Sequence, residues 1–346
     1  MANTRSLFEQ AKILSVATLG GYLFFLLGLP APWLSGGMLF SGLLVGTGHG
    51  HALARPLRDL AMISSGITLG ASVTVETLHA FARVPMSLVI LALTSVAAMA
   101  ATGLVLRVIF RWPRRDAMLA AAPGALSSVL AIAIEEKADI ARIAIIQLFR
   151  LVMLVAVLPP LILSAELHGT PPTTALPWIG PVNLGVVLAV GFLGALLATR
   201  LKLSAPLILG PMLAIGAMRG FGLPDGLYPP PLSSFGFLLI GAFIGGRFEG
   251  VKRRDLVSVA PAAFLGFATA TIVAFIGAYL DMIVTGIPLA ESIIAFAPGG
   301  LEAMTALAFA LHVEPLIVGV HHLARFLMVG IGLPLVMKLK PSLIRG

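Results

Sequence analysis

Apolar residues run through this chain in long blocks, interrupted by charges, prolines and short polar clusters. Twelve blocks stand out. In the first part of the chain they are Ala11–Leu29, Trp33–Gly48, Leu57–Val75, Val84–Phe110, Ala117–Ile134 and Ile140–Leu163. The rest are Val182–Thr199, Ala205–Phe221, Ser233–Phe248, Leu256–Leu280, Leu289–Leu311 and Leu316–Met337. Each is roughly 16–27 residues long, near the ~20 a helix needs to cross ~30 Å of hydrocarbon. The pattern predicts helices that are apolar all round, with no room for a sizeable soluble domain. Residues 165–181, with Gly169, Pro171, Pro172 and Pro177, read as a linker between a first membrane repeat, 1–164, and a second, 182–346. The first block, behind Arg5 and Lys12, has the look of a secretory signal, but a counterpart in the second half makes it part of the fold.

The halves are copies of one another. Ala31-Pro32-Trp33-Leu34-Ser35-Gly36-Gly37-Met38-Leu39 matches Ala205-Pro206-Leu207-Ile208-Leu209-Gly210-Pro211-Met212-Leu213 at an offset of 174. At 175, Gly66-x-x-x-Gly70 falls on Gly241-x-x-x-Gly245, and Pro123-Gly124-Ala125-Leu126 on Pro298-Gly299-Gly300-Leu301. The match continues through Leu148-x-Arg150 on Leu323-x-Arg325 and Leu158-Pro159 on Leu333-Pro334. The spaced glycines permit close helix packing. Pro-x-x-x-Gly in the second and eighth blocks is expected to interrupt those helices.

Positive charge decides how the halves face. If all twelve blocks cross, twelve Lys and Arg lie inside and nine outside, a poor division for the positive-inside rule. If the Pro-Gly block of each half enters and leaves on one side, each half has five crossings and the second is inverted. Nineteen of the 23 basic residues then lie inside, Arg83 and Arg219 outside, and Arg150 and Arg325 within helices. The expected fold is therefore an all-α integral membrane protein of two inverted repeats, each of about five transmembrane helices plus one re-entrant or broken helix. Both termini are cytoplasmic in this topology, and the membrane is the bacterial inner membrane. Repeats with interrupted helices are the architecture of secondary transporters.

Composition narrows the chemistry. Of 346 residues 58% are hydrophobic and only 11% charged, which excludes a soluble enzyme and a disordered chain. The absence of cysteine excludes disulfides, thiolate catalysis and iron–sulfur clusters. A net charge of +8 is spread over short loops rather than gathered on one face, so nucleic acid is not an expected partner.

Polar residues inside the blocks then become the candidates. A charge at the bilayer centre costs at least ~2.5–3.5 kcal/mol, so Arg150 and Arg325 call for partners. They could hold an organic anion together, or each could pair with an acid or cap a broken helix. Between the halves Gln147 becomes His322, Ser127 becomes Glu302 and Ser128 becomes Ala303. The candidate substrate-binding set is Arg150, Arg325, Gln147, His322, Pro123, Gly124, Pro298, Gly299 and Gly300. Glu302 is the candidate coupling site for a proton or sodium, or the counter-charge of Arg325. His321 reads as a packing histidine. His312, Glu314, His321 and His322 lack the spacing of a metal site, and Glu76 and His79 read as a solvated loop face.

The Pro-x-x-x-Gly, Gly-x-x-x-Gly, Pro-Gly-Gly-Leu-Glu and His-His-x-x-Arg elements resemble the bacterial AbrB-type membrane-duplication proteins, a group also labelled ammonia monooxygenase. The resemblance runs from about Leu14 to Lys338 and brings no substrate with it. Its labels imply gene regulation or ammonia oxidation, yet the chain has no DNA-binding segment and no copper-type ligand set. The reading is a transporter of a small organic anion coupled to protons or sodium, not an enzyme, without a resident cofactor. Its partners are the anion and membrane lipid, with a homodimer as one possible assembly. The alternatives are a metal-dependent, monooxygenase-like membrane enzyme and a membrane sensor or regulator of gene expression.

Overall fold

The computed structural model describes residues 2–29, 31–71, 84–123, 129, 132–133, 136–164, 179–203, 205–221 and 229–339. Among them the chain forms helices and no strand. In order these are α1 (Ala2–Leu26), α2 (Pro32–Gly46), α3 (Arg55–Ala71), α4 (Val84–Val108), α5 (Arg114–Ala121), α6 (Ile140–Ser164) and α7 (Pro181–Arg200). Then follow α8 (Pro206–Gly220), α9 (Pro230–Gly246), α10 (Arg253–Thr285), α11 (Leu289–Phe296), α12 (Leu301–Ala310) and α13 (Pro315–Leu339). Four of them, α4, α6, α7 and α10, are long and apolar enough to cross a membrane. With 43 large apolar side chains exposed among the described residues, lipid is the solvent this surface suits.

Helix bounds recur at the offsets read from the sequence. α2 and α8 begin and end 174 residues apart; α3 and α9, α5 and α11, and α6 and α13 do so at 175. Backbone conformation recurs with them. Ala31 and Ala205 precede α2 and α8 in the left-handed region, at φ 48° and 49°. Lys137 and His312, 175 apart, share it at φ 54° and 55°.

Pro32 and Pro206 do not interrupt their helices as expected. Each sits at the first helical position, where the missing N–H would be unpaired anyway and the fixed φ suits the helix. The Pro-Gly block of the second half is broken as expected: α11 ends at Phe296, and α12 starts after Ala297-Pro298-Gly299-Gly300. In the first half α5 ends at Ala121, just before Pro123; Gly124, Ser127 and Ser128 lie outside the described residues, as do Glu76, His79, Arg83 and linker residues 165–178.

The chain forms two compact units, each drawing segments from both halves. The first contains α1–α3, α7–α9 and residues 305–316; the second contains α4, α5, most of α6, α10, α11, the start of α12 and most of α13. In the first unit α2 packs on α1 and α9, and α8 packs on α7 and α3, a reciprocal exchange. Glycine makes it possible. A Cβ on Gly241 would lie 2.5 Å from the Leu34 carbonyl oxygen, and one on Gly245 2.7 Å from that of Met38. Gly66 and Gly70 meet Ile208 and Met212 in the same way. Both helix pairs therefore run parallel. In the second unit Thr94 lies against Gly277 and Thr102 against Gly266, so α4 and α10 run antiparallel.

Candidate functional site

Every described member of the predicted site belongs to the second unit. α11 ends in the middle of its apolar block, so the carbonyls of its last turn have no continuing helix to accept from. Arg325, on α13, takes up that role. Its Nη1 donates to the Phe296 carbonyl at 3.2 Å and its Nη2 to that of Gly299 at 3.0 Å. In the first half Arg150 Nη2 donates to the Ala122 carbonyl, at 3.1 Å, at the end of α5. Both arginines thus cap broken helices, where the C-terminal dipole favours a cation. Arg150 is 4% exposed and Arg325 1%, and their guanidiniums lie close enough to repel one another. The acceptors are neutral carbonyls, and Arg325 Nε, fully buried, has no hydrogen-bond partner.

His322 completes the second cap. Its Nε2 donates to the Ile294 carbonyl at 2.9 Å, while its Nδ1 accepts from Arg325 Nη2. Gln147 does the equivalent work in the first half, donating to the Leu119 carbonyl at 3.3 Å. Leu119 and Ile294 are themselves 175 apart, so glutamine and histidine fill one role. His322, with one nitrogen donating and the other accepting from a guanidinium, is held neutral.

The break itself is tight. Pro123 and Pro298 are buried. A Cβ on Gly299 would meet the Met304 side chain at 2.6 Å, whereas one on Gly300 would touch the Glu302 carboxylate at 3.4 Å and Leu151 Cδ1 at 3.9 Å. Glu302 is half-buried and folds back over Gly300.

Beside this lies a polar cluster that the sequence reading missed. Asp281 on α10 is fully buried, and Ser292 on α11 donates to its Oδ2 at 2.7 Å. His321, also fully buried, bonds the Ile317 carbonyl through Nδ1 at 2.8 Å and the Ser87 hydroxyl of α4 through Nε2 at 2.6 Å. Asp281 is within electrostatic reach of it. His321 is therefore a hydrogen-bonded centre rather than mere packing. Asp281 escaped notice because the tenth block ends at Leu280, whereas α10 continues to Thr285 and closes on Gly286 in the left-handed conformation. That glycine, followed by Ile287-Pro288, was the available signal.

Among the described residues no group of three or more His, Asp or Glu is arranged to hold a metal ion. His312, exposed, and Glu314 belong to the first unit and His321 and His322 to the second.

These features define a helical membrane protein whose buried cations cap helix breaks. The model of the family described as transition state regulatory protein AbrB matches residues 33–340, and the chain belongs to that family. It is also similar to the uncharacterized protein YhjN of Bacillus subtilis (strain 168), with 24% identity over 362 residues, covering 95% of this chain and 92% of the relative.

Proposed function

We propose that this protein is a secondary active transporter of the bacterial inner membrane, built as an inverted duplication, that moves a small organic anion with protons or sodium. Helix direction supports the inversion. Consecutive crossings alternate, so if the halves were parallel, α2 and the third helix of the other half would point in opposite directions. They run parallel in this fold, and α3 with α8 likewise, while the equivalent helices α4 and α10 run antiparallel. All three directions belong to inverted repeats of five crossings plus one re-entrant Pro-Gly segment.

One observation carries the substrate class: two buried guanidiniums, each beside a helix break, are held by neutral carbonyls and repel one another. A carboxylate between them would relieve the repulsion and take up the unpartnered Arg325 Nε. Gln147, His322, Pro123, Pro298, Gly299 and Gly300 shape that place, and Glu302 is the candidate coupling acid. Neither sensing nor metal-dependent catalysis draws comparable support from the geometry.

The test is ligand-dependent thermal stabilisation of the purified protein against a panel of mono- and dicarboxylates. At least one is expected to raise Tm in the wild type and to lose that effect in both Arg150→Gln and Arg325→Gln. Stabilisation by a carboxylate that survives both substitutions would overturn the anion site.

A further inference from the structure

The Asp281 cluster has no polar counterpart in the other half. At the offset of 175, Ser87, Asp281, Ser292 and His321 correspond to Ala262, Leu106, Ala117 and Ile146. Those four residues are all buried in one hydrophobic core cluster. The same backbone positions are thus packed as an apolar core on one side and carry a carboxylate, an imidazole and two hydroxyls on the other. Four matched replacements, each making or receiving a hydrogen bond with another of the set or with the local backbone, are not what packing requires.

The bonding suits a group that changes charge. His321 Nδ1 faces a carbonyl and so carries a proton in either state. Nε2 faces the Ser87 hydroxyl, which donates to a neutral imidazole and, by rotating, accepts from a charged one. His322, one residue on, lacks this freedom because Arg325 occupies its accepting nitrogen. Asp281 attracts a protonated His321, and Arg325 repels it. The other ionisable groups around the cluster are His322 on α13, Glu291 beside Ser292 on α11 and, beyond Arg325, Arg150 on α6.

We propose that Asp281 and His321, linked to Ser292 and Ser87, form a proton-binding site present in one half of the duplication alone. A proton arriving there rests on His321 Nε2 opposite an ionised Asp281, or on the Asp281 carboxyl with His321 neutral. No bond other than that to the proton is made or broken. In the inverted topology this end of the second unit faces the periplasm, the side from which a proton-motive force delivers protons. Use of the site as the coupling centre rests on the transporter reading; proton binding does not.

Infrared difference spectroscopy on the protein in lipid nanodiscs, stepped across the neutral pH range, tests it without any substrate. The wild type is expected to show a pH-dependent signal of this site, the carbonyl band of a buried carboxylic acid or the ring bands of a protonated imidazole. Asp281→Asn should lose the carboxylic band, and His321→Gln the imidazolium bands. A second variant guards against misfolding: Ser87→Ala, Asp281→Leu, Ser292→Ala and His321→Ile combined install the residues of the packed half and should fold while showing no band. A wild type with neither signal, or a signal that persists in the combined variant, would overturn the proposal. Carboxylate stabilisation can fail while the band titrates, so the two readings fall separately.

Discussion

Adding one methyl group at Gly241 tests the close packing of the first unit. The Cβ of an alanine there would lie 2.5 Å from the Leu34 carbonyl oxygen, 2.9 Å from the Met38 nitrogen and 3.3 Å from the Gly37 carbonyl carbon. All three atoms are backbone, so no side chain can swing aside, and α9 must move from α2 by roughly 1 Å to restore van der Waals contact. Overpacking of this kind costs about 1–3 kcal/mol. Against it stands the gain of about 1 kcal/mol from replacing glycine by alanine inside a helix. Gly185, in α7, isolates the second effect: nothing lies within 4 Å of its added Cβ. Gly185→Ala is expected to stabilise slightly and Gly241→Ala to destabilise, the difference between them being the overpacking cost itself. At ~2–4 °C per kcal/mol for a domain of 150–250 residues, their melting temperatures should differ by at least ~2 °C. Thermal unfolding in detergent, followed by intrinsic fluorescence, measures it; Trp33, stacked on Phe25 with ring centroids 6.3 Å apart, reports on this unit. Gly66→Ala should match Gly241→Ala, since its Cβ would strike the Ile208 carbonyl in the equivalent contact. Gly241→Ala melting level with Gly185→Ala would refute the packing argument.

Two further predictions concern the ends of helices. A cysteine introduced at Arg253, in this cysteine-free chain, should be labelled by membrane-impermeant reagents only after the cytoplasmic face is opened; labelling from the periplasm in intact cells would reject the inverted topology. Glu249 accepts from His51 Nδ1 at 2.8 Å and from the Ala52 amide at 3.2 Å; the His51 bond, the largest effect, outweighs the opposing effect of burial and, with the lesser Ala52 bond, holds its carboxyl below the ordinary value. Its contribution is present at pH values above the ordinary carboxylate range and is lost as pH falls through the depressed folded value. Glu249→Gln should therefore flatten the acid branch of stability against pH by a small amount, the group being largely exposed; an unchanged acid branch would show the bonds to be of no consequence.

Much of the architecture was legible because it is set by residues with few conformational choices. Pro298-Gly299-Gly300 marked the break between α11 and α12, and the spaced glycines marked close helix contacts, though not their direction. Proline misled only where its position within the helix mattered: Pro32 and Pro206 start helices instead of breaking them, because a left-handed alanine precedes each. Arg150 and Arg325 were legible as buried charges, but not their acceptors, since carbonyls of a broken helix are anonymous in a sequence. Asp281 was hidden for a simpler reason. A carboxylate at the edge of an apolar block looks like a loop residue until the helix is seen to run one more turn.

Differences between the halves are informative in proportion to how many partners change together. Gln147 against His322 looks chemical in a sequence, yet both donate to the equivalent carbonyl beneath them, and one amide or imidazole N–H suffices for that. The exchange keeps the local structure and carries little functional weight. Leu106, Ala117, Ile146 and Ala262 against Asp281, Ser292, His321 and Ser87 is the opposite case. An aspartate placed alone at the position of Leu106 would lack the hydroxyl that Ser292 gives Asp281, at a cost of about 1–3 kcal/mol or more. Within the set Ser292 serves Asp281 and Ser87 serves His321. The arginines, repeated in both halves, give the protein no preferred side. The cluster, present once, gives protonation a side.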